Sequence, residues 1–211
     1  MLLAGAGVAT AGIEWQKNDL VLEVHPTQLA AEAVFPFKNT GDEPASIDEV
    51  YITCSCLSSK PLKESYAPGE EGELVIRFDL RERTGKQEKA VLVGSSDDEE
   101  LTQLRFTTDI PQNYVFDSKF IDFVKGDTEK TKTIRLKNPN KKPIKLLSIN
   151  SSHEDLPATL KTIREGFEYE VSVERKSTEK SIRSVIRIAT EPPPGEKQAK
   201  TIHLYVFSDV E

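Results

Sequence analysis

Cys54 and Cys56 follow the apolar run Val50-Tyr51-Ile52 with one residue between them, and they are the only thiols in a chain of 211 residues. Sulfur at this spacing has three chemistries open to it. In an exported chain the one intramolecular disulfide available is Cys54 to Cys56. On an extended strand both side chains would share a face, with Cα atoms near the upper limit of about 6.8 Å for a bridge, so closure asks for a local kink. Two thiolates also suit Cu(I) or Zn(II), which makes the pair a weak metal candidate, although two ligands are few for a closed site. The third reading is a pair of structural thiols that pack as small apolar groups.

The remaining chemistry-bearing residues are scattered. His25, His153 and His203 have no ligand-like spacing to the cysteines, and His153 stands 99 positions after Cys54. Asp97-Asp98-Glu99-Glu100 offers hard oxygen ligands for calcium, but the alternating loop pattern and glycine of such sites are missing, so a solvated hairpin tip between Val93 and Leu104 is the simpler reading. Lys137, Lys141, Lys142 and Lys145 gather around a turn, as a charged loop or as a contact for an anionic surface. No Gly-x-Ser-x-Gly elbow, His-Glu-x-x-His pair or phosphate-binding glycine loop occurs. The reading is therefore of a protein with no catalytic residues and no cofactor.

These side chains must be held by strands. Period-two alternation recurs in short segments, as in Leu20, Leu22, Val24; Leu74, Ile76, Phe78; Val91, Val93; Leu104, Phe106; Val171, Val173; Ile186, Ile188; and Leu204, Val206. Turn residues break it at Asn39-Thr40-Gly41-Asp42, Pro68-Gly69, Thr84-Gly85, Asn138-Pro139-Asn140 and Pro194-Gly195. Only Leu156 to Ile163 reads as a short helix. Within the turns, Asn39 and Asp42 are placed to bond local backbone, Gly41 to take a positive φ, and Pro44, Pro68 and Gly69 to fix chain direction.

The chain also repeats itself. Lys38-Asn39-Thr40-Gly41 aligns with Lys137-Asn138-Pro139-Asn140 at an offset of 99, and Leu74 and Ile76 align with Val171 and Val173 at 97. Two copies of about 100 residues each have the size of an immunoglobulin-like sandwich. The expected fold is all-β, two tandem immunoglobulin-like β-sandwich domains: a signal-peptide-like remnant at 1–12, a domain with the Cys-x-Cys pair at 13–111, and a second at 112–211.

Charge divides at the same joint: residues 12–111 carry 10 basic and 20 acidic side chains, a net of −10, whereas 112–211 carry 18 and 15, a net of +3. A dipolar chain of this kind suits docking to an oppositely charged partner or head-to-tail pairing. The overall −7 argues against a nucleic-acid partner, which rewards clustered positive charge. No run reaches the roughly 18 apolar residues of a transmembrane segment. Small apolar residues from Met1 to Gly12, including Ala9-Thr10-Ala11, have the pattern that ends a secretory signal, which implies export.

Phe35-Pro36-Phe37-Lys38-Asn39-Thr40-Gly41-Asp42-Glu43-Pro44, Cys54-Ser55-Cys56 and Tyr66-Ala67-Pro68-Gly69-Glu70-Glu71-Gly72, followed by Phe78, Gly85 and Lys89, carry a resemblance. The stretch from about Trp15 to Pro111 resembles the bacterial domain-of-unknown-function family fifteen seventy-three, of the hydin-like immunoglobulin-like group; the second repeat resembles a diverged copy without the cysteines. Ser55 stands where the family has glycine between the cysteines. The resemblance implies a β-sandwich exported to the periplasm or cell envelope of a bacterium, and no known activity. The functional expectation is a non-catalytic interaction or scaffold module whose partner is an envelope protein or a neighbouring copy, with thiol-disulfide or copper handling by Cys54 and Cys56 as the alternative.

Overall fold

The computed structural model describes residues 12–81, 83–96, 98–118 and 120–209, with backbone alone at 98 and 99. The signal-like segment up to Ala11 and most of the acidic run, Asp97 with the side chains of Asp98 and Glu99, lie outside the described residues. Within them the chain forms sixteen strands and no helix. It divides into two compact units, the first running to Val24 and from Ala30 to Ile110, the second comprising His25–Leu29 and the chain from Pro111 onward.

The first unit holds β1 (Ile13–Trp15), β2 (Asp19–Leu22), β3 (Ala30–Asn39), β4 (Ile47–Tyr51), β5 (Leu57–Ser59), β6 (Glu71–Asp79), β7 (Gly85–Ser95) and β8 (Asp98–Ile110). The second holds β9 (Val115–Phe116), β10 (Phe120–Phe123), β11 (Thr131–Lys137), β12 (Leu146–Ser151), β13 (Ala158–Arg164), β14 (Glu168–Glu174), β15 (Ile182–Thr190) and β16 (Thr201–Ser208). In the first, the sheet β1-β3-β6-β5 faces the sheet β2-β8-β7-β4; in the second, β9-β11-β14-β13 faces β10-β16-β15-β12. Strand for strand the order is the same. Both units even share the one parallel pairing, β2 on β8 and β10 on β16.

The alternation read from the sequence produces these sandwiches. Phe35, Phe37, Leu74, Ile76, Phe78, Leu104 and Phe106 point inward and are fully buried, and Val171, Val173, Ile186, Ile188, Leu204 and Val206 do the same in the second unit. Each such side chain contributes about 1.5–3 kcal/mol of transfer free energy, and every strand turns its other face to water. The two repeat offsets are visible in the pairing register: Phe35 lies opposite Leu74, and Ile134 opposite Val171. Pro36 is tolerated inside β3 because its C=O, and so the side where its N–H would be, faces Gln16 just past the end of β1 and not the ladder with β6.

The structure corrects the sequence reading in two places. Leu156 to Ile163 is not helical: from Ala158 it is β13, paired antiparallel with β14, because Thr159, Thr162 and Ile163 favour the pleat and Ala158 and Leu160 lean on the core. Gly41 does not use the left-handed region, which is taken by Gly69 at φ 79°. Sequence reasoning also missed that His25–Leu29 is part of the second unit: Thr27 is fully buried there, and its C=O accepts the Lys200 N–H at 2.8 Å.

Candidate functional site

The turn residues form a clasp. Asn39, fully buried at the end of β3, donates from Nδ2 to the carbonyls of Glu43 and Tyr66 and accepts the Gly41 N–H on Oδ1, at 2.8–2.9 Å. Its backbone C=O takes the Gly69 N–H, and the Glu70 N–H closes the Ala67–Glu70 turn, in which Pro68 and left-handed Gly69 occupy the positions a type II turn asks of them. Asp42 and Pro44 are exposed on the same loop. Asn138 repeats the device in the second unit, donating to the carbonyls of Lys142 and Gly166 and accepting the Asn140 N–H.

Beneath the first clasp, Gly72 makes room for rings. A Cβ there would lie 2.5 Å from Phe37 Cζ and 2.6 Å from Tyr66 Cε1, and those rings stand edge to face with centroids 4.8 Å apart. The register places Tyr169 at the equivalent position of the second unit, opposite Leu136 as Gly72 is opposite Phe37. Tyr169 fills that space from its own strand and accepts the Gly166 N–H on its hydroxyl.

Cys54 and Cys56 lie past the end of β4, where the chain leaves the sheet and turns rather than continuing as a strand. Their sulfurs are bonded and their Cα atoms are 5.1 Å apart, shorter than an extended strand allows. The Leu57 N–H donates to the Cys54 C=O at 3.1 Å, making residues 54–57 a β-turn, and the Cys56 N–H points at Cys54 Sγ, 3.1 Å away. Ser55 is exposed at the tip and has negative φ, so the turn does not require glycine. Cys56 and Leu57 are buried, and Leu57 begins β5.

Residues 153–156 build the same turn in the second unit. The Leu156 N–H donates to the His153 C=O at 3.2 Å, and the Asp155 N–H donates to His153 Nδ1 at 3.2 Å. Asp155 Oδ2 lies 4.0 Å from that nitrogen. The first position's side chain closes the turn in both units, through the Cys54–Cys56 bond in one and through the Asp155 N–H donated to the His153 imidazole in the other. His25 caps its own short loop, with Nδ1 2.9 Å from Thr27 Oγ1, and burial lowers its pKa below the ordinary histidine value. His203 is exposed on β16. All three histidines thus belong to the second unit and both cysteines to the first. Among the described residues no group of three His, Cys, Asp or Glu side chains is arranged to hold a metal ion.

The lysine cluster is partly neutralised: Lys145 pairs with Glu165 at 3.5 Å, and Lys137 approaches Glu168 at 4.0 Å. The most buried cation is elsewhere. Arg175 lies over the Phe123 ring, 5.3 Å from its centroid, and donates from Nη2 to the Asp127 C=O; Lys132 sits at the same distance from that ring and pairs with the Asp127 carboxylate. Lys132 holds that carboxyl below the usual carboxylate range.

What sequence reasoning did not single out is a sheet face. On β10 and β16, Phe120, Tyr205 and Phe207 stand in water, at 53%, 52% and 36% exposure, and the Phe120 and Phe207 rings meet edge to face at 6.3 Å. Arg183 and Arg187 flank them from β15 and have no carboxylate partner among the described residues. Three large rings left in water on one face are the kind of apolar surface that marks a contact site.

Fold and turns together define a pair of tandem immunoglobulin-like β-sandwiches. Residues 13–110, within the first unit, match the family model described as Protein of unknown function (DUF1573). No curated protein matches the chain. Among solved structures it is similar to a protein of unknown function from Porphyromonas gingivalis W83, with 13% identity over 94% of this chain and 99% of that one and a TM-score of 0.38. It is also similar to the periplasmic chaperone SfaE, with 11% identity, 92% and 99% coverage and a TM-score of 0.37. Domains 4 and 5 of the S-layer protein SbsC match with 18% identity, 58% and 66% coverage and a TM-score of 0.35. No helix among the described residues is long and apolar enough to cross a membrane.

Proposed function

We propose that this chain is a non-catalytic interaction or scaffold module, exported to the periplasm or envelope of a bacterium, that recognises a protein partner through the outer face of its second sandwich. The observation that carries this reading is the exposed aromatic group Phe120, Tyr205 and Phe207 beside Arg183 and Arg187, which have no carboxylate partner among the described residues. Aromatic and arginine side chains are the types that dominate binding energy at protein interfaces, because they bury large rigid area and keep a polar handle. Export is carried over from the secretory-signal pattern of Met1 to Gly12 with Ala9-Thr10-Ala11. The test is capture of partners from an envelope extract of the source organism by the purified chain, with Phe120→Ala, Tyr205→Ala and Phe207→Ala combined as control. The reading predicts a partner that the triple variant loses; turnover of a substrate by the pure chain, or capture indifferent to the variant, contradicts it.

The second reading, thiol-disulfide or soft-metal handling, is favoured by the position of the cysteines in an exposed turn, with Cys54 only partly buried. The matching turn at His153 and Asp155 weighs against it, because the second unit closes the same turn with no sulfur at all. Thiol titration with and without denaturant, together with metal analysis, separates the two.

A further inference from the structure

The two units present topologically equivalent outer faces of opposite sign. On β2-β8-β7-β4 the outward positions include Asp19, Glu49, Glu88 and Asp109 against Lys86 and Arg105, and Arg105 is engaged by Asp19 at 2.9 Å. Tyr51 and Leu92, register partners on β4 and β7, are exposed among them. A concavity of about 470 Å³ opens on this face, with Val21 at 81% exposure and Glu88 and Asp109 among its lining residues. On β10-β16-β15-β12 the corresponding charges among the described residues are Arg183 and Arg187 against Asp122, around the three exposed rings.

We propose that the aromatic, basic face of the second unit docks on the acidic, concave face of the first unit of another copy of this chain, so that copies join head to tail. This rests on the reading of the aromatic face as an interaction surface and names its partner. Pairing the aromatic face with itself would set Arg183 and Arg187 against their own copies, whereas the first unit's face offers Glu88, Glu49 and Asp109 for the guanidiniums and a hollow for a ring. Opposite potentials steer the encounter, and ring burial holds it. Because the two faces differ, the contact is heterologous and a docked pair leaves one face of each kind open.

The experiment is sedimentation velocity of the full purified chain over a wide concentration range at low and high salt. Self-docking predicts an average mass that climbs with concentration at low salt and returns to the monomer at high salt, since exposed charge pairs are screened within about 8–10 Å at physiological ionic strength and within about 3 Å at 1 M. Arg183→Glu with Arg187→Glu, and separately Glu49→Lys with Glu88→Lys, each weaken association by about tenfold or more. Mixing the two reversed variants restores it, because the unchanged arginine face of one meets the unchanged acidic face of the other and the introduced glutamates meet the introduced lysines; this recovery also shows that both variants are folded. A chain that stays monomeric at low salt, variants that associate like the parent, or a mixture that does not recover would each overturn the proposal. If the pure chain is monomeric while the envelope extract still yields a partner that the triple aromatic variant loses, self-docking fails and the interaction reading stands. If the extract yields none as well, both fail.

Discussion

The first and second units solve the same folding problem with different side chains, and the difference separates what the sandwich needs from what each copy adds. Both end the third strand with a buried asparagine that satisfies two carbonyls and one N–H, since an open loop at that corner would leave those groups unpaired. Ring filling beneath the clasp is shared as well, but the ring comes from Tyr66 over Gly72 in one unit and from Tyr169 in the other. The turn after the fourth strand is a disulfide in one and a His153–Asp155 contact in the other. Outer faces differ most, acidic in the first and basic with exposed rings in the second. Backbone satisfaction and core volume are common to both; sulfur and surface charge are not.

The largest expected effect tests whether each core stands on its own. Phe35→Ala removes a fully buried ring and costs the first unit about 3–5 kcal/mol; Leu136→Ala costs the second about 2–5 kcal/mol. Trp15, the only tryptophan, stacks near Phe37 with ring centroids 5.1 Å apart, so its fluorescence reports the first unit. Denaturant unfolding followed at Trp15 is expected to shift with Phe35→Ala and not with Leu136→Ala.

Next come the shared clasps. Asn39→Ala and Asn138→Ala each strand buried backbone groups and are expected to lower stability by about 1–3 kcal/mol, similar in the two units. Gly72→Ala drives a methyl into Phe37 and Tyr66, at about 1–3 kcal/mol. In a Tyr66→Ala background that cost shrinks, and a double-mutant cycle with no coupling would break the ring-exchange account.

Smaller still is the cysteine turn. Cys54→Ser with Cys56→Ser opens a ring of very few residues, so chain entropy limits the loss to about 2 kcal/mol, and His153→Ala is expected to cost about 0.5–1.5 kcal/mol in the equivalent turn. A global unfolding on removing the sulfurs would show that the two turns are not alternatives.

The smallest effect is electrostatic. Arg81 donates to the Asp79 carboxylate and holds its pKa down to about 2. The folded pKa lies below the unfolded one, so this contribution is complete above about pH 4 and is lost as pH falls toward 2. On an exposed pair it amounts to less than about 1 kcal/mol. Arg81→Ala returns the carboxyl toward the ordinary range, which carboxyl NMR titration reads directly.

Strand phase, the repeat and the sandwich were legible in the sequence because half-buried strands write their inner face as alternation. The asparagine turns were legible because their chemistry is local. Other features were hidden for identifiable reasons. In β16 the alternation at Leu204 and Val206 puts Tyr205 and Phe207 on the other face, but alternation alone does not say whether another element covers that face. β13 begins Ala-Thr-Leu-Lys, which satisfies helix and edge strand alike until pairing with β14 decides. The equivalence of Cys54 and His153 was present as the offset of 99, yet only hydrogen bonding by the turn shows that thiol and imidazole occupy the same place.

The claim that the second unit's sheet face recognises the partner, while the cysteine turn serves only the fold, is tested most directly by one capture experiment on two variants. An envelope extract is passed over the parent chain, over Cys54→Ser with Cys56→Ser, and over Phe120→Ala with Tyr205→Ala and Phe207→Ala, all with matched far-UV circular dichroism and matched thermal unfolding. The account predicts that the serine variant retains what the parent captures and that the alanine variant loses it. Loss with serine and retention with alanine would contradict it.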